Sequence, residues 1–429
     1  MQLFLSLALL LLVILGLLIP RKRSLGLSLG LAESILVLLP SSIFRSLQGG
    51  ALYPILLSVV LIVFGLVKHR KPLQVTRSFK LVFAIYFITA ISTLTSESVD
   101  WFYLPQCFFA PLIFLTISNL SESEAKNLAK VTLWLGILET LLAVPEVLIG
   151  KGPFLGQQIT VTVENHFLPG LIRAQGTLDH PLVLSLILLL GLSFLQDLNF
   201  DIYKKVIAGS VLLVGIFLTG SVSAAITALL LIVWLAFGQK NHAVKILATC
   251  MICLSGIWIV FSGAQIPESL SREVNFSHRT ASLQAVPNLV TMREPLNAIF
   301  GSGVGSIRTL FENGVIQNDG FFVVDNQYVS TLVASGLVGL MFFAWLIYLT
   351  VRNSSPSKAP SVFVLLFMAL SFDYLLWYSL LIPVFFVLGQ RFGVRKASEM
   401  HPSGLDLNIF RQPIVAGSNP TGTAKKKTS

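Results

Sequence analysis

Five short segments carry the residues able to do chemistry. R-A-Q-G-T-L-D-H-P, Arg173 to Pro181, sets a guanidinium, the Asp179 carboxylate and the His180 imidazole directly before an apolar run, with Pro181 suited to the first turn of a helix. A helix starting there aims its unpaired backbone N–H groups at the same point, an arrangement that suits an anion. Its plain alternative is a helix cap beside a stray histidine. D-N-Q-Y, Asp325 to Tyr328, opens another apolar run, where a helix N-terminus favours the ionised form of Asp325; again a cap is the plain alternative. Ahead of it lie S-H-R-T (Ser277 to Thr280) and N-A-I-F-G-S-G-V-G (Asn297 to Gly305). Glycines at alternate positions 301, 303 and 305 suit a tight turn whose backbone approaches a ligand or another helix, weak evidence for phosphate by itself. T-G-S-V-S-A-A, Thr219 to Ala225, has the small residues that let helices pack closely.

The elements that must hold these segments are membrane helices. Of 429 residues 54% are hydrophobic and 12% charged, about half the charge of a soluble domain. Thirteen spans are predicted, at about 2–19, 25–44, 51–67, 80–95, 101–118, 131–150, 180–196, 205–220, 221–239, 244–262, 325–351, 359–375 and 376–390. A separate catalytic domain in water is excluded, so chemistry must sit where helices meet loops. Basic residues follow Pro20 rather than precede the first run, which argues against a cleaved signal peptide. Cys107, Cys250 and Cys253 all fall in apolar runs and read as packing, not as a disulfide or metal set. The formal charge of +10 punctuates spans and is a topology signal rather than a nucleic-acid footprint.

With the N-terminus outside, 23 Lys and Arg fall in the cytoplasm and 7 outside, a clear positive-inside bias. The external set is Arg45, Lys151, Arg173, Arg272, Arg279, Arg293 and Arg308. Six of these are arginine, the fork that grips phosphate in two-point fashion. The external loop 263–324 is too long for a plain connection, and its 279–300 stretch reads as short amphipathic helices at the membrane surface. Residues 1–396 thus form an all-α polytopic domain of 12 to 13 transmembrane helices, and 397–429 reads as a disordered cytoplasmic tail.

In order and spacing, these segments resemble the bacterial O-antigen ligase and O-antigen polymerase-like membrane proteins, over about residues 130–350. Members pair an R-x-x-G-T-x-x-H-P-like lead-in with a T-G-S-like junction, an external Arg ahead of a G-x-G-x-G turn, and an H-N or D-N-x-Y start followed by G-[LIV]-[LIV]-G. Two positions depart from the ligases: Val222 stands where they carry an arginine after T-G-S, and Asp325 where they carry a histidine. The junction arginine is therefore not carried over, and the resemblance points to a polysaccharide polymerase.

That resemblance implies a metal- and cofactor-independent, inverting glycosyltransferase of the cytoplasmic membrane. It would act on undecaprenyl-diphosphate-linked glycans at the outer face, with membrane lipid, a flippase and a chain-length regulator as partners and no nucleic acid. Arg173 and Arg279 are expected to face one diphosphate, with Arg308 a replacement for the missing junction arginine. Asp325 leads as the base for the acceptor hydroxyl and His180 follows, while Asn326 and Tyr328 would contact substrate. Ligase-type transfer to a lipid or protein acceptor is the alternative within the family. The intramembrane acids Glu33, Glu139, Glu146 and Asp373 support a different class, a transporter of a lipid-linked glycan or small anion.

Overall fold

The computed structural model describes residues 20–39, 52–96, 99–150, 164–237, 281–316 and 323–389. Span 2–19, span 244–262, Arg279 and the tail lie outside these residues. Among the described residues the chain is helical, with one isolated antiparallel bridge between Glu164 and Ile172. The N-terminal helices are α1 (Ser24–Leu38), α2 (Tyr53–Lys68), α3 (Arg77–Leu94), α4 (Leu104–Ser118) and α5 (Glu122–Ile149). Next come α6 (Pro181–Phe194), α7 (Ile202–Leu218) and α8 (Val222–Phe237). Three short helices follow, α9 (Val286–Thr291) and α10 (Pro295–Phe300) within the 279–300 stretch expected to hold short helices, and α11 (Ile307–Glu312) beyond it. The chain then forms α12 (Gln327–Arg352), α13 (Ala359–Met368) and α14 (Tyr378–Gly389).

Helices α3, α5 and α12 are each long and apolar enough to cross a membrane, which marks a membrane protein. Their boundaries follow local chemistry. Helix α5 starts at Glu122, nine residues before the predicted span, because Ser121 and Glu124 form a reciprocal capping box that stabilises a polar first turn. It ends on Gly150 in the left-handed conformation that glycine adopts readily. Helix α12 is broken at Gly336 (φ 67°, ψ −167°). The predicted span 359–375 is helical only to Met368; a non-helical stretch with a 3-10 turn at Tyr374–Leu376 joins it to α14.

Helix α6 is the centre of the bundle. All fourteen of its residues are buried, and it packs on α5, α7, α8, α13 and α14. At about 1.5 Å per residue it is about 21 Å long, shorter than a hydrocarbon core of about 30 Å. Elsewhere α1 packs on α2 and α5, where a Cβ on Gly65 would collide with Ser28; only glycine permits that approach.

Charge separates the two ends of the bundle. Arg21, His69, Arg70 and Lys71 gather near the first turn of α5 around Glu124, and Lys126 and Lys358 line a second recess beside them. About 33 Å further along α5, at about 1.5 Å per residue, Glu146 meets the segment that leads into α6. The basic groups Arg21, Arg70, Lys71 and Lys126, read from sequence as internal, therefore lie at the opposite end of α5 from the segment that carries Arg173.

Candidate functional site

The lead-in to α6 is held by acids of α5. Glu146 accepts hydrogen bonds from the backbone N–H groups of Gln175 (3.0 Å) and Gly176 (2.8 Å), and Glu139 accepts from that of Thr177 (2.9 Å). The Thr177 hydroxyl is shared between Glu139 and the Val37 carbonyl at the end of α1. A buried irregular segment would otherwise carry orphaned N–H groups, so these carboxylates supply partners that water cannot. Two of the four intramembrane acids thus have a positional role. Glu33 differs: one of its oxygens accepts from Thr132 (2.7 Å), while the other is buried without a partner.

Beyond Thr177 the chain turns through Asp179, at φ 61° the non-glycine residue in the left-handed region among the described residues. That turn delivers His180 as the N-cap of α6, one residue later than the start after Asp179 read from sequence, with Pro181 in the first turn as the sequence predicts. The His180 Nδ1 accepts from the Leu182 N–H (3.2 Å). With Nδ1 accepting, a neutral ring carries its proton on Nε2.

Arg173 sits on the small-residue junction between α7 and α8. Its Nε donates to the Thr219 carbonyl (2.8 Å), the Ala174 N–H donates to Leu218 (3.0 Å), and the Arg173 stem closes over Gly220. Asn165 completes the clamp by donating to Leu218 (2.9 Å). The T-G-S junction, which lacks an arginine of its own, is covered by one from a segment 46 residues away.

The second half of the site is the start of α12 and the break between α13 and α14. The Gln327 N–H donates to Ala369 (2.8 Å), Asn326 donates to Leu370 (3.1 Å), and the Leu375 N–H donates to the Gln327 side chain (2.8 Å). Asn326 is the cap of α12, accepting from Tyr328 (3.0 Å) and Val329 (3.1 Å). The plain reading of Asp325 as the cap therefore passes to its neighbour. Asp325 is half-buried and within electrostatic range of Asp373, which lies beside Trp377 in the break between α13 and α14. Trp377 lies against His180, centroids 5.2 Å apart, and Phe372 stacks on the same imidazole at 5.9 Å and 3°. Residues 180 and 325 are thus linked through the break at 372–377.

Of the remaining sequence candidates, Arg308 falls elsewhere and Tyr328 lies on the first turn of α12. Arg308 pairs with Glu312 on the exposed surface of α11 (2.9 Å). Tyr328 is half-buried, its ring 6.1 Å from that of Phe343. The glycine turn approaches helices: Ser302 N–H donates to Val333 (2.8 Å), a Cβ on Gly301 would strike Ala334, and one on Gly303 would strike Thr93 of α3. Arg293 is buried and ties this turn down, donating to Leu289, Ser302 (3.3 Å) and Leu332 (3.2 Å).

Sequence reasoning missed Trp377 and Phe372, which sit in an apolar run and differ in no visible way from packing residues. It noted Asp373 only as an intramembrane acid; the signal available was a carboxylate four residues before a tryptophan in such a run. Among the described residues no three His, Cys, Asp or Glu side chains are grouped as a metal site requires. The arrangement brings two acids within electrostatic range, an imidazole and an anchored guanidinium to one end of the bundle. No family model, no curated protein and no solved structure matches the chain.

Proposed function

We propose that the protein is a multi-pass enzyme of the bacterial cytoplasmic membrane. It polymerises undecaprenyl-diphosphate-linked repeat units at the outer face by inverting glycosyl transfer, as an O-antigen polymerase-like protein. The observation that carries this reading is the link of His180 to Asp325 through Trp377 and Asp373, because it joins the two motifs of the resemblance that lie farthest apart in the chain. Asp325 is the base that accepts the proton of the acceptor hydroxyl. Asp373, in the break between α13 and α14, lies within electrostatic range of that base. His180, a donor through Nε2, stabilises charge on the departing diphosphate together with Arg173.

The test is purified protein with lipid-linked repeat units in the presence of chelator. Wild type is expected to lengthen chains and release undecaprenyl diphosphate. Asp325→Asn should reduce extension by at least about 100-fold, the scale of general base catalysis, with donor still bound. Normal extension by that variant removes the mechanism, and a gene deletion that leaves surface glycan length unchanged removes the function.

A second reading, a transporter of a lipid-linked glycan or small anion, is favoured by the break in α12 at Gly336 and the partnerless Glu33 oxygen. It predicts movement of labelled substrate across proteoliposomes without extension, unchanged by Asp325→Asn.

A further inference from the structure

At the end of the bundle opposite the candidate site, a cavity of about 990 Å³ opens between the α2–α3 loop and the α4–α5 turn. Its volume is at the upper end of the range for small-molecule sites. It is lined by Arg21, His69, Arg70, Lys71, Asn119 and Glu124. The one acid does not cancel these cations. Glu124 accepts from the Gly26 N–H (3.1 Å), the Ser121 N–H (3.1 Å) and the Ser121 hydroxyl (2.6 Å), so both its oxygens are engaged in holding α1 and α5 together. The basic loop is also tied in place: Gln74 N–H donates to the Asn119 side chain (2.7 Å), which donates back to the Gln74 carbonyl (3.2 Å).

Apolar side chains interleave with the basic ones. Val67 is 77% exposed, Leu73 38% and Val75 57%, on the same loop and the helix end before it. A soluble phosphate would leave these side chains in water, whereas a lipid offers them acyl chains. We propose that this cavity holds the phosphate headgroup of an anionic phospholipid, with its chains against Val67, Leu73 and Val75. Basic recesses at the cytoplasmic end of helix bundles are suited to this chemistry, because that leaflet carries the anionic lipid. The site is independent of the reaction proposed above.

The experiment uses the full chain in dodecyl maltoside with fluorescent phosphatidylglycerol or phosphatidylcholine as probe. Phosphatidylglycerol is expected to bind and phosphatidylcholine to bind far more weakly. The double variant Arg70→Gln, Lys71→Gln should bind phosphatidylglycerol about 30-fold more weakly, the conversion of about 1 kcal/mol for each basic residue near a membrane surface. The control removes as many charges from exposed positions of α7 and α12, Lys204→Gln with Arg352→Gln, and should bind as wild type does. All four residues lie at the surface, and gel filtration checks that both variants stay monodisperse. Equal loss in the two double variants, equal binding of the two lipids, or full displacement by millimolar inorganic phosphate would each overturn the assignment.

Discussion

At the residue scale, neighbouring side chains divide tasks that look interchangeable in sequence. Asn326, not its neighbour Asp325, caps α12, and an N-cap is worth about 1 kcal/mol. His180 caps α6 through Nδ1, which in a neutral ring leaves the proton on Nε2. At the opposite end, Lys358 is 4% exposed, and burial, partly offset by the Asp197 carboxylate, brings its ammonium down to about 7 from the ordinary 10.5. Its recess also includes Lys126, a like charge. A lysine depressed in the folded state binds its proton less well than in the unfolded state, so stability rises with pH between about 7 and 10.5 and is flat below. Thermal unfolding at pH 7, 8 and 9 should show that rise, at most about 1.4 kcal/mol per pH unit for one proton. Lys358→Met should flatten it and be more stable at pH 7. Parallel pH profiles for the two proteins would show that Lys358 does not titrate in this window.

At the element scale, the site depends on helices that stop short. Helices α6, α13 and α14 and the first half of α12 all end or start at one level, and their irregular joins carry the polar groups. Such joins are tolerated inside a membrane protein only when every backbone group finds a partner, which Glu139, Glu146, Asn165 and Gln327 provide. The break at Gly336 is steric. Its positive φ excludes other residues at low cost, and a Cβ there would collide with the Ile299 carbonyl of α10. Gly336→Ala is therefore expected to destabilise by about 2 kcal/mol or more, combining left-handed strain with backbone displacement. Leu340→Ala, on the same helix away from the break, provides a comparison for the change in unfolding temperature. An unaltered unfolding temperature in Gly336→Ala would show that the break is not required.

At the scale of the whole molecule, α5 runs the depth of the bundle with basic groups at its first turn and the candidate site beyond its last. If the orientation read from charge is correct, Thr291 on α9 faces outside and Gln74 in the α2–α3 loop faces the cytoplasm. Both are exposed. Single cysteines at these positions, in protein lacking Cys107, Cys250 and Cys253, should label differently with an impermeant reagent: Thr291→Cys in intact cells, Gln74→Cys only after permeabilisation. The reverse pattern inverts the proposed topology and moves the chemistry to the cytoplasmic face.

The helical, apolar character of the chain, the start of α6 at His180 and Pro181, and the short helices α9 and α10 were legible from residue order alone. Each is a local property: hydropathy summed over a window, a cap, a proline in a first turn. The partnership of Glu139 with Thr177 across 38 positions, and of Gln327 with Leu375 across 48, was not legible, because packing of distant helices decides which buried donor meets which acceptor. Nor was the break at Gly336, since a glycine in an apolar run serves equally as a close contact or a kink. A carboxylate in such a run reads as a transport signal until the structure gives it a neighbour. Glu139 and Glu146 acquire theirs from a backbone segment that no periodicity marks, and tertiary structure alone makes them positioning groups.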